Sequence, residues 1–347
     1  MPPAIYTQNV IALIWDFDKT LTHGYMQEPL FAEFGVDAKE FWEEVNGLAG
    51  YYDGVGAMVS ADTVYLNHIL TYVAAGKFAG LTNRILAELG ARIQLAPGLP
   101  DFFNRIRDLV ATQPAYIKHE IKLEHYIVST GLRAMIEGSK IRPYVHGVWA
   151  CDLLPEAAPP GYRDQLEAHG SDVLASIGYT IDNTSKTRAI FEINKGVNVQ
   201  RDSSVTVNSL IPEDQRRVPI RNMIYIADGP SDIPSFSVVN RMGGKTFGVY
   251  APGEANYENA TSLEEQGRVN SIAEADYRKD SSAELWLNRA VKKIADEIVK
   301  ILPFSEKADI GGGFGKDDLA FAINLAEGAG EGVERRPDLR RRADGAG

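Results

Sequence analysis

The chain has 347 residues, a formal net charge of -11, 44% hydrophobic and 9% aromatic residues, and one cysteine. That length allows a core domain with an insert or a second domain, and the acidic balance argues against a nucleic-acid surface, which needs clustered Lys and Arg. Cys151 excludes an intramolecular disulfide or a thiolate metal cluster and reads as a buried, inert thiol. The N-terminus shows no leader-like pattern and no apolar run approaches the ~18 residues of a membrane helix. A cytoplasmic protein without a membrane partner is expected, and its oligomeric state is left open.

The apolar run Val10 to Trp15 predicts a buried strand, and charge begins where it should end, at Asp16 and Asp18. Two carboxylates one residue apart at a strand end cannot both be hidden in a core, so they are expected to face a ligand. In an α/β sheet that crevice is where ligands bind. From about residue 24 to 92 the period becomes helical. Leu30, Phe31 and Phe34, then Phe41, Trp42 and Val45, then Val64 to Val73 behind Asp62 as an N-cap, then Leu81 to Leu89 stopped by Gly90, predict an all-helical insert.

A turn at Leu95 to Pro100 precedes a helix with Phe102, Phe103, Ile106 and Leu109 on one stripe. Strands are predicted at Tyr126 to Gly131, Val145 to Trp149, Met223 to Ala227 and Thr246 to Tyr250, with Tyr179 to Ile181 as a hairpin or flap strand. Helices are predicted from Lys186 to Asn194, ending at Gly196, and around Val291 to Leu302. Strands alternating with helices give an α/β fold with a mainly parallel, Rossmann-like sheet flanked by helices. Beyond Gly311 only a short helix from Asp317 to Leu325 is expected. Disorder is expected after about residue 328, and the run Arg335 to Arg342 reads as a solvated tail.

The segment Asp16-Phe17-Asp18-Lys19-Thr20 resembles the first motif of the haloacid dehalogenase-like superfamily, Asp-x-Asp-x-Thr. The order Asp16 and Asp18, Ser129, Lys186, then Asp228 and Asp232 is similar to that superfamily's motif order. The resemblance spans roughly residues 10 to 250. Phosphate monoesters are so inert that accelerations up to ~10²¹ are known, which no single group supplies. The resemblance implies Asp16 as nucleophile, forming an aspartyl-phosphate, and Asp18 as general acid and base. It implies Mg²⁺ held by Asp16, the main chain of Asp18, Asp228 and Asp232. It implies a phosphoryl group bound by Ser129 and Lys186, with backbone N–H groups of Thr130 and Gly131 in the turn after the strand. Thr130 is the alternative to Ser129, and Lys195, expected to be exposed, the competitor of Lys186.

The helical insert and Asp228-Gly229-x-x-Asp232 are similar to the phosphoserine phosphatase-like branch. Its architecture implies a core at residues 1–23 and 93–305, a cap at 24–92, and a C-terminal extension at 306–347. Glu28 resembles an acidic cap residue that could face a substrate amine, with a solvated helix-start glutamate as the other reading. Arg84, Arg92 and Arg133 read as surface salt-bridge partners. The function implied is a phosphatase of a small phosphomonoester, such as a phosphorylated amino acid or amino alcohol. A phosphomutase on the same core and a non-catalytic phosphate-binding module remain the alternatives. Stretches 114–124 and 156–172 look like insertions.

Overall fold

The computed structural model describes residues 8–156, 158, 160–164, 171–199 and 205–302. Strand β1 (Val10–Trp15) is followed by helices α1 (Glu28–Phe34), α2 (Ala38–Asp53), α3 (Val64–Ala74), α4 (Asn83–Gly90), α5 (Asp101–Ala111) and α6 (Pro114–Lys118). Then come β2 (Lys122–Leu132), α7 (Arg133–Gly138), β3 (Gly147–Leu154), β4 (Ser176–Tyr179) and α8 (Lys186–Lys195). The described chain ends with β5 (Met223–Ala227), α9 (Ile233–Arg241), β6 (Lys245–Tyr250), α10 (Glu254–Glu265), β7 (Ile272–Glu274) and α11 (Ser282–Ile301).

The strands form one sheet in the order β4-β3-β2-β1-β5-β6-β7, parallel except for the antiparallel edge β4. Strand β1 is apolar along its whole length because both faces are covered. Ile11, Leu13 and Trp15 enter one core with α5, α11 and the insert, while Val10, Ala12 and Ile14 enter the other with α8 and α9. Trp15 anchors the first core edge-on to Phe102, Phe103 and Tyr277. The chain runs outward from β1 to β2 and β3, then returns to β5 on the other side of β1. The carboxyl end of β1 is therefore the point where strand order reverses, the place where such sheets bind ligands.

The described part of the insert is helical as the periodicity predicts, with an aromatic core of Phe31, Phe41, Tyr72 and Phe78. Two expected end signals act differently. Asp62 does not cap α3, whose N-cap is Thr63; the Asp62 carboxylate instead accepts from Asn183 Nδ2 at 3.0 Å, tying the insert to the loop before α8. Gly90 is the last residue of α4 and has no left-handed turn. A Cβ there would overlap the Met135 carbonyl of α7, and one at Gly138 would overlap the Ala87 carbonyl of α4. The two helices cross backbone to backbone through this glycine pair.

Strand β3 extends five residues beyond its predicted end because β4 pairs along it. The predicted helix from Asp317 to Leu325 and the arginine-rich tail lie outside the described residues. No helix among the described residues is long and apolar enough to cross a membrane.

Candidate active site

Asp16 follows β1, and its N–H donates to the Ile226 carbonyl at 2.9 Å, carrying the sheet ladder one residue past the strand. This pins the Asp16 backbone between β2 and β5. Asp228 follows β5, and Asp232 lies four residues on, in the turn leading to α9. One carboxylate oxygen from each of Asp16, Asp228 and Asp232 lies within 4.8 Å of the others. Lys186, the first residue of α8, donates from Nζ to Asp16 Oδ1 and to Asp232 Oδ1, both at 2.8 Å, with only 1% of its side chain exposed. Sequence motifs 46 to 170 residues apart thus meet on one ammonium.

Asp232 is fully buried and held on both oxygens: Tyr225 Oη donates to Oδ1 at 2.6 Å and Ser231 Oγ to Oδ2 at 2.8 Å. Tyr225 escapes sequence reasoning because it sits mid-strand among Ile224 and Ile226. The readable signal is that a tyrosine in a buried strand needs a partner for its hydroxyl.

The electrostatics are those of crowded acids. Burial, then the nearby Asp232, push the Asp16 carboxyl up to about 6 against the opposing pull of Lys186. Burial and Asp16 push Asp18 up to about 8, opposed by a hydrogen bond from the Met26 N–H at 2.8 Å. Burial and Asp16 push Asp228 up to about 7. Lys186 moves well above the lysine range, because its two carboxylate partners outweigh burial. An excess of carboxylates over cations in a low-dielectric pocket calls for a further cation. Asp16, Asp228 and Asp232 offer the hard oxygen donors that Mg²⁺ prefers, so the residues fit such an ion. The Asp18 side chain is outside this group, turned to Met26.

The second motif departs from expectation. Strand β2 does not turn after Ser129 but continues to Leu132, with irregular register between Val128 and Leu132. The Gly131 N–H is not free for a ligand, since it donates to Ser129 Oγ at 3.0 Å. A Cβ at Gly131 would overlap the thioether of Met26, whose Sδ also accepts from the Leu132 N–H at 3.1 Å. Met26 therefore touches both halves of the site: its N–H orients Asp18 and its side chain packs on the strand that carries Ser129. Ser129 is buried, two residues beyond the Trp15–Ile127 pair. Thr130 is half-buried, and its carbonyl accepts from Tyr65 Oη of α3 at 2.5 Å and from the buried Cys151 thiol. Neither Met26 nor Tyr65 has a motif-like signal in the sequence.

Other candidates fall outside the cluster. Glu28 is exposed at the start of α1, accepts from the Tyr25 N–H at 3.3 Å, and lines a pocket of about 300 Å³ with Gly24, Arg92 and Gln94. Asp16, Ser129, Lys186 and Asp228 do not line that pocket. Lys195 is half-buried rather than exposed and donates to the Val207 and Ser209 carbonyls at the far end of α8. Arg84, Arg92 and Arg133 pair with Glu88, Glu33 and Asp152 at the surface, as expected.

No protein-family model matches the chain. Among solved structures it is similar to a HAD family hydrolase of Salmonella enterica serovar Typhi, at 13% identity and a TM-score of 0.47, covering 83% of this chain and 73% of that one. It is also similar to a phosphoserine phosphatase solved as a phospho-aspartyl intermediate analogue, at 13% identity and a TM-score of 0.46, covering 81% and 99%. Over 282 residues it is 40% identical to an uncharacterized protein of Borreliella burgdorferi, covering 81% of this chain and 96% of that one. The chain belongs to the family of that Borreliella burgdorferi protein.

Proposed function

We propose that the protein is a magnesium-dependent phosphatase that hydrolyses a small phosphomonoester through an aspartyl-phosphate. The observation that carries this reading is the buried Lys186 ammonium held between Asp16 and Asp232, beside Asp228. Asp16 is the nucleophile: its carboxylate oxygen bonds to phosphorus as the bond to the leaving-group oxygen breaks. Asp18, whose carboxyl is pushed up to about 8, holds a proton at neutral pH and delivers it to the departing alkoxide. The resulting Asp18 carboxylate takes a proton from water as that water attacks the aspartyl-phosphate, releasing phosphate and restoring Asp16. Lys186 and Ser129 bind the phosphoryl oxygens, with the Thr130 backbone beside them.

Asp16, the Asp18 main chain, Asp228 and, directly or through water, Asp232 would hold the ion, which supplies charge neutralisation between carboxylate and phosphate dianion. Residues 24–92 serve as a cap on a core formed by residues 1–23 and 93–305, excluding water and selecting the ester. A panel of small phosphate esters, incubated with magnesium and with EDTA and scored for phosphate release, tests the reading. Magnesium-dependent release from at least one ester is expected; no release from any would overturn it.

A further inference from the structure

Lys19 has no part in the chemistry above, yet its position is unusual. Its backbone is left-handed, with φ of 55°, a conformation that residues with a Cβ rarely adopt and that is tolerated where surrounding structure enforces it. The half-buried ammonium donates to Tyr25 Oη at 2.8 Å and lies 4.2 Å from the centre of that ring. The Tyr25 ring packs in turn on Trp42 of α2, with centroids 5.6 Å apart. Lys19 is thus braced from the insert side. Among the described residues it forms no salt bridge, although it is close enough to Asp228 and Asp18 to be attracted by both.

An ammonium has three donors, and Tyr25 uses one of them. Lys186 has two of its three donors on Asp16 and Asp232, whereas Lys19 gives only one to Tyr25, so two donors of Lys19 remain for a ligand. Its place beside Asp18 sets what it meets. If Asp18 protonates the leaving-group oxygen, substituents next to that oxygen come within reach of the residue that follows Asp18. We infer that Lys19, braced by Tyr25, binds an anionic substituent on the leaving group, so that the preferred substrate is a phosphomonoester with a carboxylate or second phosphate near the ester oxygen. This rests on the phosphatase reading and sharpens it: an amino alcohol phosphate would set an ammonium against Lys19.

The test is the ratio of kcat/KM for phosphoglycolate to that for 2-hydroxyethyl phosphate, which replaces the carboxylate by a neutral hydroxymethyl group. Propane-1,3-diol bisphosphate and phosphoethanolamine serve as second-phosphate and cationic arms. The full-length protein with magnesium should favour the anionic esters by about tenfold or more, the range of one hydrogen bond to a charged group. Whichever anionic ester leads identifies the substituent. Lys19→Gln should bring the ratio close to one, Lys19→Arg should keep it, and Tyr25→Phe should lower it part of the way. A ratio unchanged in Lys19→Gln, with rates falling alike on all esters, would make Lys19 a counter-charge and overturn the inference. Loss of all hydrolysis in that variant would assign Lys19 to the transferred phosphoryl group and overturn it too. No hydrolysis of any ester by the unaltered protein would instead remove the phosphatase reading and this inference together.

Discussion

Two buried ionic groups lie at opposite ends of the same sheet, and they are built on opposite terms. Near the start of β2, Glu124 accepts from Arg217, while Arg217 Nη1 also donates to Tyr126 Oη at 3.0 Å and Tyr126 donates to Glu124. One carboxylate meets one guanidinium and a hydroxyl. Although burial alone would raise it, these hydrogen bonds hold Glu124 below the usual carboxylate range. At the carboxyl ends, Asp16, Asp18 and Asp228 all rise, to about 6, 8 and 7, because burial and the neighbouring carboxylates outweigh the pull of Lys186. A balanced group is complete within the fold, whereas an unbalanced one leaves carboxylates that a ligand cation or a proton would satisfy.

The comparison can be broken most sharply at the nucleophile. Asp16→Asn keeps the shape but cannot attack phosphorus, so turnover should fall by a factor of about 10³ or more while the circular dichroism spectrum stays unchanged. A well-folded variant hydrolysing at near the original rate would sink the role given to Asp16. Next in size, Asp228→Ala should weaken magnesium binding at least tenfold more than Ser129→Ala, because it removes a charged ligand rather than a neutral contact. Calorimetry returning equal affinities would undo that assignment.

The balanced group should show the reverse phenotype. Arg217→Met leaves Glu124 buried without its cation and should cost about 3 kcal/mol of stability in denaturant titrations. Activity per folded molecule should be retained; a selective loss of turnover would mean that the two ends are not independent.

The smallest effect is in the pH dependence of the metal-free protein. Carboxyls whose folded pKa is raised favour the folded state while protonated, so stability is present below their ordinary pKa near 4 and is lost as pH rises through about 6 to 8. Glu124 has the opposite sign: its stabilisation is present above its ordinary pKa and is lost as pH falls through its lowered folded value. The melting temperature in EDTA should therefore fall from pH 5 to pH 8, and saturating magnesium should flatten that fall. A flat or rising profile in EDTA would show that the site carboxylates are not in conflict.

Much of this contrast is legible in the sequence, for identifiable reasons. The strand Val10–Trp15 and the acids after it are readable because a strand buried on both faces is uninterrupted until its end. Met223–Ala227 and the helix from Lys186 to Gly196 follow the same clarity of pattern and stop signal. Edge strand Ile272–Glu274 is not legible, since three residues carry no period. Asp62 and Gly90 mislead because the local rules that make them a cap and a stop are overridden by tertiary partners, Asn183 and Met135. Tyr225 is readable only as a buried hydroxyl in need of a partner, and Met26 and Tyr65 not at all, because what makes them matter is the position of another chain segment.

Helices α4 and α7 meet with no side chains between their backbones at Gly90 and Gly138, so they cannot adjust by changing rotamers, and α4 behaves as part of the sheet's frame. Upstream, Gly76 and Gly80 have left-handed φ of 74° and 72°, with nothing within 4 Å of a hypothetical Cβ. Between them Phe78 is fully buried against Phe31, Phe41 and Tyr72, so the two glycines turn the chain sharply on either side of a core residue. Glycine acts here as a bolt where it is crowded and as a turn former where it is not, and a truncation meant to remove α1–α3 should leave α4 and its bolt in place.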